Sequence, residues 1–131
     1  MPRKKILILE DDEANAELIS FYLEEEGFDT LISPTGNNFV DKVVTYQPDL
    51  ITIDILLPDV DGFQVFKTLQ QDERTRKIPV IFITVEESKH AQGLEMGASG
   101  FLAKPFTEKT FKEAIKTILA GERSDEKNSH S

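Results

Sequence analysis

Residues 51–62 read ITIDILLPDVDG, and they begin as a strand covered on both faces begins. Leu50, Ile51, Thr52 and Ile53 lead into Asp54, and Ile55, Leu56 and Leu57 follow it. A carboxylate inside such an apolar run is desolvated, which is costly unless a cation or hydrogen-bond donors meet it. Asp59 and Asp61-Gly62 belong to a different kind of segment, one that makes a turn and starts a helix. The stretch therefore reads as a buried strand with a carboxylate at its carboxyl end.

Runs of the same kind recur on either side: Ile6-Leu7-Ile8-Leu9, Ile78-Pro79-Val80-Ile81-Phe82-Ile83, Phe101-Leu102-Ala103 and, more weakly, Phe28 to Ser33. Helical periods separate them. Ala14, Leu18, Phe21 and Tyr22 form a stripe that Gly27 stops. Phe39, Val40, Val43 and Val44 predict a second helix ending before Pro48, and Val65, Phe66 and Leu69 a third beginning near Asp61-Gly62. A short fourth helix is expected over Ser88 to Met96. Phe111, Ala114, Ile115, Ile118 and Leu119 give the clearest stripe, with Thr107 as its cap and Gly121 just beyond its end. Strands alternating with helices in this way predict a doubly wound α/β fold, a five-stranded parallel sheet with helices on both faces.

Composition bounds the rest. A chain of 131 residues suits one domain with a single core, and 39% hydrophobic with 30% charged residues is ordinary for a globular protein. With no cysteine there is neither a disulfide framework nor a thiolate metal site, which fits a cytoplasmic setting. The apolar run after Arg3-Lys4-Lys5 is too short for a signal peptide, and no stretch reaches membrane-spanning length. A net charge of −9 argues against direct contact with nucleic acid, whose phosphates would be repelled. Residues 1–121 are expected to form the domain and 122–131 a polar tail or the start of a linker, without periodicity. The Met1 start and short tail favour a stand-alone protein, although an excised part of a larger regulator or hybrid kinase would look the same.

In open α/β sheets ligands bind beyond the carboxyl ends of the strands. Glu10-Asp11-Asp12 follow the first strand, Asp54 ends the third, Thr84 the fourth and Lys104 the fifth. In a strand order 2-1-3-4-5 the first and third strands are neighbours and the acids converge. Such carboxylates repel one another unless a cation intervenes, and hard oxygen ligands suit Mg²⁺. A carboxylate nucleophile, a divalent metal, a hydroxyl and an ammonium make a phosphoryl-transfer set, in which the carboxylate becomes an aspartyl phosphate.

With ILILEDDE, ID-ILLPDVDG, Ile83-Thr84 and GASGFLAKPF in order, the chain from about Lys4 to Ala120 resembles the receiver domain of two-component response regulators. The resemblance implies a flavodoxin-like sheet of order 2-1-3-4-5 and gives each residue a role. Asp54 matches the phospho-acceptor. Glu10 and Asp11 match the acidic pair that positions Mg²⁺, with Asp11 the direct ligand; Asp11-Asp12 is the alternative pairing. The backbone carbonyl of Leu56 matches a further metal ligand. Thr84 matches the switch hydroxyl, Lys104 the lysine that pairs with phosphoryl oxygens, and Phe101 the aromatic that moves with Thr84. The Lys104-Pro105 bond is expected to be cis. A histidine kinase or phosphotransfer protein would supply the phosphoryl group. An output protein would dock on the face formed by the fourth helix, fifth strand and fifth helix, with a phosphorylation-dependent homodimer left open. The chain would then be a signalling module, limited as a catalyst to its own phosphorylation and slow dephosphorylation.

Plainer readings exist for each residue. Asp54 alone fits a cap, Thr84 a strand-end threonine, Lys104 a surface lysine and Phe101 core. Asp12 and Glu13 fit the N-terminus of the first helix. An EF-hand reading of Asp59-Val60-Asp61-Gly62 fails, because Leu57 and Thr68 would occupy its carboxylate positions. His90 and His130 are isolated and receive no role. A pseudo-receiver acting only as an interaction module is disfavoured by the complete residue set. A Mg²⁺-dependent phosphatase usually needs a second acid two residues after the nucleophile, where this chain has Leu56. Val85, where many receivers have a small residue, and Leu56 lead us to expect a long-lived phosphorylated state.

Overall fold

The computed structural model describes residues 3–121 and 124–125. The elements run β1 (Lys5–Leu9), α1 (Glu13–Glu25), β2 (Asp29–Ser33), α2 (Phe39–Tyr46), β3 (Leu50–Ile53), α3 (Gly62–Gln70) and β4 (Val80–Thr84). A 3₁₀ turn (Glu87–Lys89) leads to α4 (His90–Glu95), then β5 (Gly100–Ala103), α5 (Glu108–Leu119) and β6 (Ser124–Asp125). All strand pairs are parallel and the order is β2-β1-β3-β4-β5-β6. The expected five-stranded order 2-1-3-4-5 is present.

Alternation along each strand splits the core into two layers. Leu7, Leu9, Ile51, Ile53, Phe82 and Phe101 face one side, with Phe39 and Val43 of α2 and Phe63, Phe66 and Leu69 of α3. Ile6, Ile8, Leu50, Ile81, Ile83 and Leu102 face the other, with α1 and α5 residues. Each fully buried Leu, Ile or Phe of this kind contributes about 1.5–3 kcal/mol of transfer free energy. Phe82 sits at the middle, its ring edge-on to Phe63 at 5.0 Å and to Phe66 at 5.4 Å.

Three expectations need correction. In α1 the buried residues are Ala16, Ile19 and Leu23, whereas Leu18 and Phe21 of the predicted stripe are exposed. The helix carries two apolar stripes on opposite sides, and the one with Ile19 and Leu23 faces the sheet. The fourth helix is shorter than Ser88 to Met96, because a 3₁₀ turn takes its first residues. In the tail, Ser124–Asp125 pair with Gly100 and Phe101. Main-chain pairing to an edge strand needs no apolar side chain, so hydropathy gave no sign of it. The remainder of the tail lies outside the described residues.

Candidate functional site

The carboxyl ends of β1 and β3 lie side by side, with Leu9 opposite Ile53, and the Asp54 N–H donates to Leu9 O at 3.0 Å. The residues that follow, Glu10 and Asp54, are both buried. Asp11 is exposed beside them, and carboxylate oxygens of Glu10, Asp11 and Asp54 all lie within 4.8 Å of one another. Asp12 is turned to another use: it is the N-cap of α1 and accepts from the Asn15 N–H at 2.9 Å. Of the two acidic pairings open in the sequence, Glu10 with Asp11 is therefore the one that joins Asp54.

Lys104 enters from the neighbouring side of the sheet. The Thr84–Ala103 register ends β4 and β5 together, and the Lys104 N–H donates to Thr84 O at 2.9 Å. The Lys104 side chain then reaches back, Nζ lying 2.9 Å from Asp54 Oδ2 and 2.5 Å from Glu10 Oε1. The Lys104-Pro105 bond is cis, as the family resemblance implied.

The electrostatics follow from this burial. Desolvation pushes the Glu10 carboxyl above its ordinary value, against the opposing pull of Lys104. Burial disfavours the Lys104 ammonium too. Its hydrogen bonds to Glu10 and Asp54 outweigh that effect, and its pKa is raised. A single cation thus sits between two buried acids, with Asp11 at the open side. Three carboxylates so close form a donor set suited to a hard divalent cation such as Mg²⁺.

Asp54 is also fixed from below. Its Oδ1 accepts from the Leu56 N–H at 3.0 Å. The Gly62 N–H donates to Ile55 O at 3.0 Å, closing the loop that follows Asp54. A Cβ at Gly62 would stand 2.5 Å from Asp54 O and 2.7 Å from Ile55 Cα, so only glycine permits this approach. Asp61 is the N-cap of α3, accepting from the Phe63 N–H, and Asp59 accepts from the Gly36 N–H. Both aspartates serve the loop. Gly62 is the supporting residue that sequence reasoning passed over as a helix start.

The remaining predicted residues lie around this cluster. Thr84 is fully buried at the end of β4, its Oγ1 accepting from the Glu86 N–H at 3.3 Å. Phe101 is buried in an inward position, 6.5 Å from the Phe82 ring and 4.7 Å from the His90 imidazole. Gly93 of α4 brings that helix close over Phe82 and Phe101. His90, which the sequence left without a role, is thus buried against Phe101. Leu56 and Val85 expose much of their side chains, 47% and 60%.

Comparison with known proteins places this geometry. The family model described as "Response regulator receiver domain" matches residues 6–116. The DNA-binding dual master transcriptional regulator RpaA of Synechocystis is 40% identical over 121 residues, which are 91% of this chain and 49% of that protein. The alkaline phosphatase synthesis transcriptional regulatory protein PhoP of Bacillus subtilis is 36% identical over 88% of this chain and 48% of its own length. The chain thus spans about half the length of these curated relatives. The polar-differentiation response regulator DivK of Brucella ovis, 36% identical, is instead matched over 96% of its length. Among solved structures, the receiver domain of a signal transduction histidine kinase from Syntrophus aciditrophicus superposes with a TM-score of 0.81 at 33% identity, over 90% of this chain and 91% of that one. The activated N-terminal receiver domain of RstA from Klebsiella pneumoniae gives 0.81 at 28% identity, over 88% and 98%.

Proposed function

The chain belongs to the response regulator receiver domain family, and on that premise we propose that Asp54 is its phospho-acceptor and that phosphorylation there switches a binding face. The observation that carries this is the Lys104 ammonium held 2.9 Å from Asp54 Oδ2 within a buried acidic cluster. Such an ammonium stands ready to accompany negative charge arriving on Asp54.

Glu10, Asp11, Asp54 and the backbone carbonyl of Leu56 would hold the Mg²⁺. When bound, the ion would offset charge on the transferring phosphoryl oxygens. An Asp54 oxygen attacks phosphorus of a phosphohistidine on a kinase or phosphotransfer protein. The P–N bond breaks as the P–O bond forms, and the imidazole leaves as a neutral ring because its other nitrogen already carries a proton. The Leu56 N–H holds Oδ1 and so orients the carboxylate for attack. Lys104 transfers its hydrogen bond from Oδ2 to a phosphoryl oxygen. Thr84 turns its hydroxyl toward the new group, and Phe101 responds through the β4–β5 pairing.

The output is a change in the face made by α4, β5 and α5, to which a protein partner binds; a phosphorylation-dependent homodimer through it stays within this reading. The acidic character of the chain makes that partner a protein rather than nucleic acid. Among the described residues no helix is long and apolar enough to cross a membrane, and we place the protein in the cytoplasm. The domain acts on its own phosphorylation and dephosphorylation only, because Leu56 supplies no acid or base for turnover. Borohydride reduction tests the acceptor: an acyl phosphate on Asp54 is converted to homoserine, readable in the peptide that contains it. Rapid hydrolysis of small phosphomonoesters would instead support the phosphatase reading.

A further inference from the structure

β5 would be the outer edge of the five-stranded sheet, with a row of unpaired main-chain groups open to another strand. In this chain the edge is occupied from within. α5 ends at Leu119, and Gly121, with its positive φ of 88° and its N–H donated to Ile118 O, turns the chain out of the helix. The chain then returns as β6 in a β5-α5-β6 crossover, Ser124 opposite Gly100 and Asp125 opposite Phe101. The residue beside Asp125 is thus the aromatic that packs against Phe82 of β4 and His90 of α4.

We propose that the C-terminal segment is an intramolecular competitor for the α4–β5–α5 face: Ser124–Asp125 hold the β5 edge at Gly100 and Phe101, and a partner reaches that face only when they let go. The inference rests on the phosphorylation reading above and adds the element that phosphorylation must displace. Two features make the segment displaceable. The strand is two residues long, and the tail GERSDEKNSHS contains no apolar side chain to anchor it in the core. Its register also ties it to the switch reading, because Asp125 is paired with the main chain of Phe101 itself. Phosphorylation at Asp54 then weakens β6, and a partner that pulls β6 away favours phosphorylation in return.

Hydrogen exchange on the full chain tests this, read in the peptide covering Gly100–Ala103, with β1 and β3 peptides as internal controls for folding. The double substitution Ser124→Pro/Asp125→Pro removes both main-chain donors, whichever faces β5. Ser124→Ala/Asp125→Ala keeps them. The β5 peptide of the proline variant should exchange several-fold faster than wild type, on the order of tenfold at most for so short a strand. The alanine variant should match wild type. Acetyl phosphate with Mg²⁺ should accelerate the β5 peptide of wild type and add little to the proline variant. Intact mass, taken on the same samples, separates the two ideas. With no phosphoryl adduct the underlying reading fails. With an adduct but unchanged β5 exchange, or with equal exchange in the proline variant and wild type, the competitor role is overturned.

Discussion

Lys104 Nζ lies 2.9 Å from Asp54 Oδ2, although fifty residues separate the two in sequence, and Glu10 Oε1 shares the same ammonium. All three side chains are largely or wholly removed from water. The relationship has two faces, one structural and one chemical. The lysine stabilises two acids that would otherwise repel, and it marks where further negative charge is tolerated.

Removing the cation exposes the first face. Lys104→Met leaves Glu10 and Asp54 buried without their partner, and loss of one member of a buried pair typically costs about 3–5 kcal/mol. Glu10, raised already by burial, takes up a proton on mild acidification and relieves the repulsion. Urea unfolding should therefore show a large deficit near neutral pH that shrinks as the pH falls. A deficit independent of pH would contradict the arrangement.

Metal binding should carry the same signature. A carboxyl held above its ordinary value keeps its proton to higher pH, so protons compete with Mg²⁺ at Glu10 earlier than at an ordinary glutamate. Mg²⁺ affinity, measured by titration calorimetry, should fall as the pH is lowered from neutral toward the ordinary glutamate range, and Glu10→Gln should flatten that dependence. The same slope in Glu10→Gln and wild type would remove Glu10 from the site.

Gly62 is the most restrictive position near Asp54. In Gly62→Ala the new methyl meets Asp54 O and Ile55 Cα, both main chain, so the loop itself must move. We expect a loss of about 1–3 kcal/mol in stability, as for other overpacking substitutions, together with slower phosphorylation from acetyl phosphate. Wild-type stability and rate would show that the loop yields freely.

Val85 and Leu56 bear on how long the modification lasts. An apolar side chain can hydrogen-bond no water, and both are exposed, Leu56 two residues after Asp54 and Val85 directly after Thr84. The phosphorylated wild type should decay more slowly than phosphorylated Val85→Ala. Decay of the two forms followed side by side decides it: equal rates, or a faster wild type, sink the idea.

The sheet was legible because strands covered on both faces leave uninterrupted apolar runs, as at Ile6–Leu9 and Leu50–Ile53, while its order came with the family resemblance. The acids and Lys104 were legible because strand ends concentrate them, and the register Leu9–Ile53 brings Glu10 and Asp54 together as that predicts. What escaped the sequence depends on choices that spacing does not make. Leu18 and Phe21 are as apolar as Ile19 and Leu23, so the buried face of α1 is settled by the sheet it meets. His90 has no sequence partner to announce its packing on Phe101. Gly62 does start α3 as expected, but its second task escaped the sequence, because Asp54 O and Ile55 Cα come near it only through the fold of the loop.

The measurement that bears most directly on the central claim is the intact mass of the protein after incubation with acetyl phosphate and Mg²⁺. Wild type and Asp54→Asn would be compared, each with and without EDTA. The account predicts one phosphoryl adduct on wild type, lost with EDTA and absent from Asp54→Asn. An adduct that persists in Asp54→Asn, or forms equally well in EDTA, would contradict it.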